Sequence, residues 1–382
     1  MSDAASPALI HSESGDPHGG MLLRNFWYVA AWSAELGRTP IGRIMLGDSV
    51  VLYRAEDGTA VALENRCPHR NLPLSNGRLT GGSLECGYHG MVFDRTGACT
   101  HIPGQTDVPK WARIRTYPAL EKLGWVLVWM GDPKLADPAS APSFQVRLAD
   151  PEWLTVSGYL HVKCGYRLIV DNLLDLSHLA YVHASSTGNR ELAENANIAA
   201  ETDGDRVRVT RWMTGVPAAP AFVEYAKYDG PIDRWQGSEF MPPGYVYVNS
   251  GTVRSSAALN GATGDGAGAS PHVRMASQGE WGFVVYHALT PETARSTHQF
   301  WAVSLPSRFV APERREVYER QMRTIPVEDL HVYEAQQRAI DLDPAARGDV
   351  NPGGMIAADE GLLAARRILR HLYGAERQSA AG

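Results

Sequence analysis

The chain has 382 residues and a net charge of −6, enough length for two cores but without the positive footprint a general nucleic-acid binder needs. Its 44% hydrophobic and 20% charged residues are ordinary for a globular protein, and no apolar run is long enough to cross a bilayer. Four cysteines are too few for a disulfide scaffold, so a soluble, cytoplasmic protein with no membrane or nucleic-acid partner is expected.

The first twenty residues, MSDAASPALIHSESGDPHGG, have neither a basic nor an apolar signal region. They read as a disordered leader, residues 1–20, with His11 and His18 in solvent. From Met21 the text changes to strand-length apolar runs: NFWYVAAW, GRIMLG, SVVLYR, AVALEN, MVFD and GWVLVWM. Asp57-Gly58, Thr80-Gly81-Gly82 and Arg95-Thr96-Gly97 supply turns between them. A small antiparallel β domain over residues 21–135 is predicted.

Inside that domain stand Cys67-Pro68-His69 and, after sixteen residues, Cys86-Gly87-Tyr88-His89. Two thiolates and two imidazoles in this C-x-H and C-x-x-H pairing suit a Rieske [2Fe–2S] centre, in which Cys67 and Cys86 hold one iron and His69 and His89 the other. A structural zinc site could use the same donors. Pro68, Gly87 and Gly90 favour the cluster, since they allow tight loops that turn backbone amides toward it. Each His would keep one ring nitrogen at the surface, where it can help an electron leave. Cys99 and Cys164 read as small buried hydrophobes.

A second centre is suggested by VDNLLDLSHLAYVH. Asp171, Asp175 and His178 have spacings that place them on one helix face, and His183 follows after a predicted break or bulge between the two His. Two His and a carboxylate make the facial triad of non-haem Fe(II) oxygenases. The carboxylate could come from Asp171, from Asp175 or from Asp329 in IPVEDLHVYEAQQRAI, a helix expected to align Asp329, Tyr333 and Gln336 and to turn Glu328 away. His331 is a further inward candidate. A pure electron carrier would need no such second site.

After Val182 comes the polar stretch ASSTGNRELAENANI, in which Ser185 and Ser186 could line an entrance or simply cap structure. VRVTRWM, EYAKYDG, YVYVNSG, VRMASQG, FVVYHALTPE and STHQFWAVSLP read as strands, with RWQGSEFMPPG between two of them. Asn249, His287, Phe300 and Trp301 are candidate pocket residues because strand faces alternate. Arg211, Arg234 and Arg254 are candidate hosts for a substrate anion. The Gly/Ala/Ser-rich run over 251–270 is expected to be a mobile loop. Helices follow, the last with Leu362, Leu363, Ile368, Leu369 and Leu372 as an apolar stripe and His371 near its end. This second domain is placed at 136–376, with a tail over 377–382. Composition and pattern support an α+β class.

CPHR followed by CGYHG, the D-x3-D-x2-H-x4-H run from Asp171 to His183, NFWYVAAW, IPGQ and VLVWMGDP together resemble the oxygenase components of Rieske non-haem iron oxygenases. The nearest branch is that of vanillate O-demethylase, dicamba O-demethylase and toluenesulfonate methyl-monooxygenase, and the likeness spans Met21 to about Ala375. The resemblance implies an antiparallel β Rieske domain followed by a helix-grip-like catalytic domain with a central antiparallel sheet and C-terminal helices. It implies His178, His183 and Asp329 as iron ligands, Asp175 as a bridge to a Rieske histidine of the neighbouring subunit, and Asn172 near the iron. It also implies a head-to-tail homotrimer supplied with NAD(P)H electrons by a separate reductase of flavin and ferredoxin type.

The function expected on this basis is oxidative O-demethylation of a methoxylated, vanillate-like aromatic acid, giving a phenol and formaldehyde with O2 as co-substrate. The alternative within the class is methyl or ring hydroxylation of another aromatic acid or sulfonate. A non-catalytic electron carrier is the reading outside it.

Overall fold

In the computed structural model, which describes residues 22–194, 198–255, 281–342 and 356–381, the β-branched and aromatic runs of the N-terminal part form small antiparallel sheets. One joins Trp27–Trp32, Trp125–Trp129 and Ala119–Lys122, and another joins Ile41–Met45, Asp48–Arg54, Ala60–Glu64 and Thr116–Tyr117. The third joins Arg78–Thr80, Ser83–Glu85, Val92–Phe93 and Cys99–His101. The Cys67–His69 pair lies in the loop after Ala60–Glu64, and the Cys86–His89 pair lies between Ser83–Glu85 and Val92–Phe93. Cys99 and Cys164 are both buried thiols, as expected.

The second half builds an antiparallel sheet of seven described strands. Their order is Trp153–Val162, Ser296–Pro306, Trp281–Thr293, Tyr245–Arg254, Ile232–Met241, Arg206–Val216 and Ile198–Asp203. The sheet is covered on both faces. Val207, Val209, Phe240, Val246 and Leu289 pack against the helix Tyr166–Leu174 and the C-terminal helix Glu360–Ala381. Tyr245, Val284, Tyr286, Ala288, Phe300 and Ala302, of opposite parity, pack against Trp27, Trp125 and Trp129 of the N-terminal domain. A strand buried on both faces loses the apolar–polar alternation, and Ser296–Pro306 is accordingly buried at nearly every position. Hydrogen bonds from Trp32 Nε1 to the Gly158 carbonyl (3.0 Å), Tyr245 Oη to the Trp27 carbonyl (2.8 Å) and Thr290 Oγ1 to the Val29 carbonyl (2.6 Å) tie the domains together.

Some expected elements differ. RWQGSEFM is not a connection but most of the strand Ile232–Met241. EYAKYDG is not a strand, because the helix Pro220–Ala226 runs into it. Pro220 sits in that helix's first turn, where its fixed φ suits a helix start, and Phe222 is fully buried. The C-terminal helix buries Leu362 and Leu369, packs Leu363, Ile368 and Leu372 beside them, and continues to Ala381 through the segment read as a tail. The leader, VRMASQG and most of the 251–270 run lie outside the described residues.

Candidate active site

The two cysteine loops share one backbone design. Cys67 N–H donates to the Leu72 carbonyl (2.9 Å) and Asn71 N–H returns to the Cys67 carbonyl (2.9 Å). Cys86 N–H donates to the Met91 carbonyl (2.8 Å) and Gly90 N–H returns to the Cys86 carbonyl (3.1 Å). Each loop closes in the left-handed region, at Asn71 (φ 58°) and Gly90 (φ 71°), which Gly and Asn occupy with least strain. The thiols are buried while His69 and His89 are exposed, with ring centroids 4.6 Å apart and Tyr88 stacked on His89 at 3.9 Å. Burial, and then the neighbouring Cys86 thiol, push Cys67 up to about 11. Two thiols crowded out of water become thiolates when a metal cation joins them, and the site fits a [2Fe–2S] cluster on that ground.

The second centre forms where Tyr166–Leu174 ends. Asp175 caps that helix, and the two histidines flank a single turn, Leu179–Val182, with His178 before it and His183 after it. The break therefore lies at Asp175–Ser177 rather than between the histidines. His178, His183 and Asp329 bring one ligand atom each to within 4.8 Å of one another. Asp329 Oδ1 lies 3.1 Å from His183 Nε2 and 3.5 Å from His178 Nε2, and the histidine rings are 5.2 Å apart. Three buried or half-buried donors converging from two separated segments form a two-histidine, one-carboxylate facial triad suited to a mononuclear iron.

The outer nitrogens orient the rings. His178 Nδ1 hydrogen-bonds the Asp175 carbonyl, and His183 Nδ1 meets Glu328 Oε2 at 2.7 Å. Glu328 is held in turn by Ser185 Oγ (3.2 Å) and Ser186 Oγ (2.9 Å). Glu328 thus turns toward the site, contrary to the helical-wheel expectation, because His183 is wide enough to touch neighbouring positions of the helix Ile325–Leu342 with its two nitrogens. Burial opposes a charged His183, but the Asp329 and Glu328 carboxylates outweigh it and raise its pKa. His178 is lowered, by burial first and His183 second, against the pull of Asp329. Asp329 stays below the usual carboxylate range because the histidines outweigh its own burial.

Asn172 Nδ2 donates to Asp329 Oδ1 at 3.4 Å, while its Oδ1 is buried without a partner among the described residues. Asp175 accepts Ser177 N–H (2.7 Å) and Oγ–H on one carboxylate oxygen. Asp171 is not part of the triad: it makes a buried ion pair with Arg366 of the C-terminal helix. His331 is exposed, and Gln337 rather than Gln336 shares the buried side of its helix, accepting the Gly165 N–H at 3.0 Å.

Of the sheet residues, His287 and Trp301 pair with each other and lie on the face that carries the iron helix. His287 Nδ1 meets Gln299 Nε2 at 3.2 Å, and Tyr333 Oη donates to Gln299 Oε1 at 3.2 Å. Burial, partly offset by Asp329, holds His287 down to about 4, so it is neutral. Asn249 does not join them. It pairs with Val284, whose face packs on the N-terminal domain, and Phe300 lies on that same face. Alternation gives a strand's parity, and only packing decides which parity faces the iron. Glu328 and Gln299 have no sequence signal of their own.

Comparison with known proteins agrees with both centres. The Rieske [2Fe-2S] domain family matches residues 26–118, and the vanillate O-demethylase oxygenase C-terminal domain family matches residues 162–375. A putative toluene-4-sulfonate monooxygenase system iron-sulfur subunit of Comamonas testosteroni is 36% identical, over 93% of this chain and 98% of its own length. The chain belongs to the Rieske non-haem iron oxygenases. Within their vanillate, dicamba and toluenesulfonate branch, the vanillate O-demethylase oxygenase subunit of a Pseudomonas species is 34% identical, over 94% of this chain and 97% of that one. The crystal structure of dicamba monooxygenase bound to dicamba superposes with a TM-score of 0.80 at 30% identity, covering 94% of this chain and 99% of that one. This Rieske oxygenase is thus a catalytic oxygenase subunit of the monooxygenase type. Among the described residues no helix is long and apolar enough to cross a membrane.

Proposed function

We propose that this oxygenase oxidises a methyl group on a small aromatic acid, with O-demethylation of a methoxybenzoate as its reaction. The observation that carries the reading is the His178–His183–Asp329 triad in the same chain as a Rieske site. Relatives named as vanillate and dicamba O-demethylase components support the ether substrate, and the toluene-4-sulfonate relatives favour methyl hydroxylation as the second reading. One methoxybenzoate, O2, two electrons and two protons give one phenol, one formaldehyde and one water. Insertion of oxygen into the methyl C–H bond leaves a hemiacetal, whose C–O bond breaks as its hydroxyl loses a proton and the phenol oxygen gains one.

When bound, the cluster relays single electrons and the ferrous ion offers open positions to O2. The chain does the positioning. Exposed His69 and His89 would hold the cluster where a partner can reach it, and Ser177 fixes Asp175 beside His178. Asp175 bridges to a Rieske histidine of the neighbouring subunit in a head-to-tail homotrimer, and a separate flavin- and ferredoxin-type reductase supplies NAD(P)H electrons. Packing within one chain supports transfer between subunits: the N-terminal domain covers the sheet face opposite to the one bearing the iron helix. Domain limits of 21–135 and 136–376 belong to the same reading.

Turnover with Fe(II), a surrogate reductase, NADH and O2 tests it, on vanillate, veratrate, 3-O-methylgallate, dicamba and toluenesulfonate. Formaldehyde equal to phenol from a methoxybenzoate is expected. A hydroxymethyl product without formaldehyde would transfer the assignment to methyl hydroxylation.

A further inference from the structure

Arg211 and Arg234 are each 1% exposed and stand on neighbouring strands. A buried guanidinium ordinarily lies against a carboxylate, as Arg366 does against Asp171. Neither Arg211 nor Arg234 has a carboxylate in ion-pair contact among the described residues. Arg211 has its side-on edge on Gln236 Oε1 and its Nη1 on the Leu192 carbonyl (3.0 Å). Arg234 gives only Nη1, to the Thr187 carbonyl at 2.8 Å in the segment just after His183. Its Nε and Nη2 are buried and without partners among the described residues. These two N–H groups form the planar edge that binds a carboxylate or sulfonate in parallel bonds.

The surroundings suit an aromatic anion. Arg234 pairs with Thr252, and Thr252 pairs with Trp281, so all three share the sheet face of His287 and Trp301. Phe222 lies 4.5 Å under the guanidinium, and its ring is 5.1 Å from that of Trp281. The indole N–H groups of Trp281 and Trp301 are also buried without acceptors among the described residues. Ala180, from the turn between the iron histidines, belongs to the same apolar cluster as Phe222, Trp281 and Trp301. Among the described residues this face therefore has N–H donors in excess: Asp175 acts on Arg211 through space, and no carboxylate touches the open edge of Arg234.

We propose that the bare Nε–Nη2 edge of Arg234 seats the anionic group of the substrate, a carboxylate or sulfonate on an aromatic ring, with Phe222, Trp281 and Trp301 walling the ring. Arg211 adds positive charge behind it. The assignment rests on the reading of the chain as an oxygenase of an aromatic acid.

Calorimetric titration of the holoenzyme without reductase tests it, using 4-methoxybenzoate, 4-methylbenzenesulfonate and neutral 4-methoxybenzyl alcohol. The wild type binds at least one anion tenfold or more tighter than the alcohol, and the tighter anion identifies the group. Arg234→Gln weakens that anion roughly 100-fold and leaves the alcohol within about threefold. Arg234→Lys, which keeps a cation but loses the fork, weakens the anion at least tenfold, and it decides the matter if the Gln variant fails to incorporate the cluster. Equal loss for anion and alcohol, or no anion preference in the wild type, overturns the proposal. Arg234-dependent anion binding without any oxidised product would instead overturn the reaction reading and leave the seat standing.

Discussion

Glu328 and Asp329 are adjacent in sequence, yet they engage opposite nitrogens of one ring, His183 Nδ1 and Nε2. A carboxylate on the outer nitrogen fixes which tautomer faces a metal and raises the ring's basicity. Ser185 and Ser186 hold that carboxylate in place, a role beyond the entrance or structural cap that their polar character suggested. Glu328→Ala is expected to weaken iron binding roughly 10- to 100-fold, read as iron retained per cluster after dialysis against a chelator, with the cluster's visible absorption unchanged. Glu328→Gln retains more iron, since its amide oxygen still accepts from Nδ1–H. Unchanged iron retention in both variants would count against an orienting role.

Strands meet the site through close approaches that a single methyl group would disturb. A Cβ built on Gly158 would lie 2.3 Å from Trp301 Cζ2, because the indole lies flat across the facing strand. Gly158→Ala is expected to displace Trp301 and to lower stability by about 1–3 kcal/mol, seen as a reduced midpoint in chemical denaturation and a changed indole fluorescence. Helix packing shows the same economy at Gly361, whose added Cβ would lie 2.2 Å from Val209 of the sheet. The apolar stripe that meets this sheet was legible from its spacing. Strand Ile232–Met241 was not, because its Arg, Gln and Ser side chains are buried on a face whose polarity belongs to the site rather than to solvent.

At the scale of the molecule, the two domains are clasped by His298. Its Nε2 donates to the Ile44 carbonyl (2.8 Å), which in the neutral ring leaves Nδ1 to accept the Tyr159 hydroxyl (2.8 Å). Burial chiefly holds it down to about 4 from an ordinary 6.5. A histidine with its folded-state pKa below the unfolded value takes up a proton preferentially on unfolding. Its effect is absent above pH 6.5, and stability falls as pH drops from about 6.5 toward 4, by roughly 1–3 kcal/mol for this residue. Denaturation midpoints across that window should fall less steeply in His298→Gln than in the wild type. The proposed head-to-tail arrangement has its own test: Cys86→Ser and Asp329→Ala chains, each expected to be inactive alone, are expected to regain activity when co-expressed. Mixed oligomers that stay inactive, with cluster and iron present in the appropriate chains, would argue against transfer across the interface.

By itself the sequence marked the candidate donors, because metal chemistry restricts residue type and spacing tightly: Cys67, His69, Cys86 and His89 in two short loops, and His178 and His183 close together after an apolar helix. It also determined the β and α+β halves, since turn residues and apolar periodicity act over a few positions. It left three carboxylates open for the triad, and tertiary structure closed that choice by pairing Asp171 with Arg366 and bringing Asp329 across from a distant helix. Tertiary structure alone also decided that Asn249 faces the N-terminal domain, that Glu328 faces His183 and that Arg234 is buried with an open edge. Those outcomes depend on which face of a doubly covered sheet meets which layer, and on contacts between segments far apart in the chain. Local spacing carries no record of either.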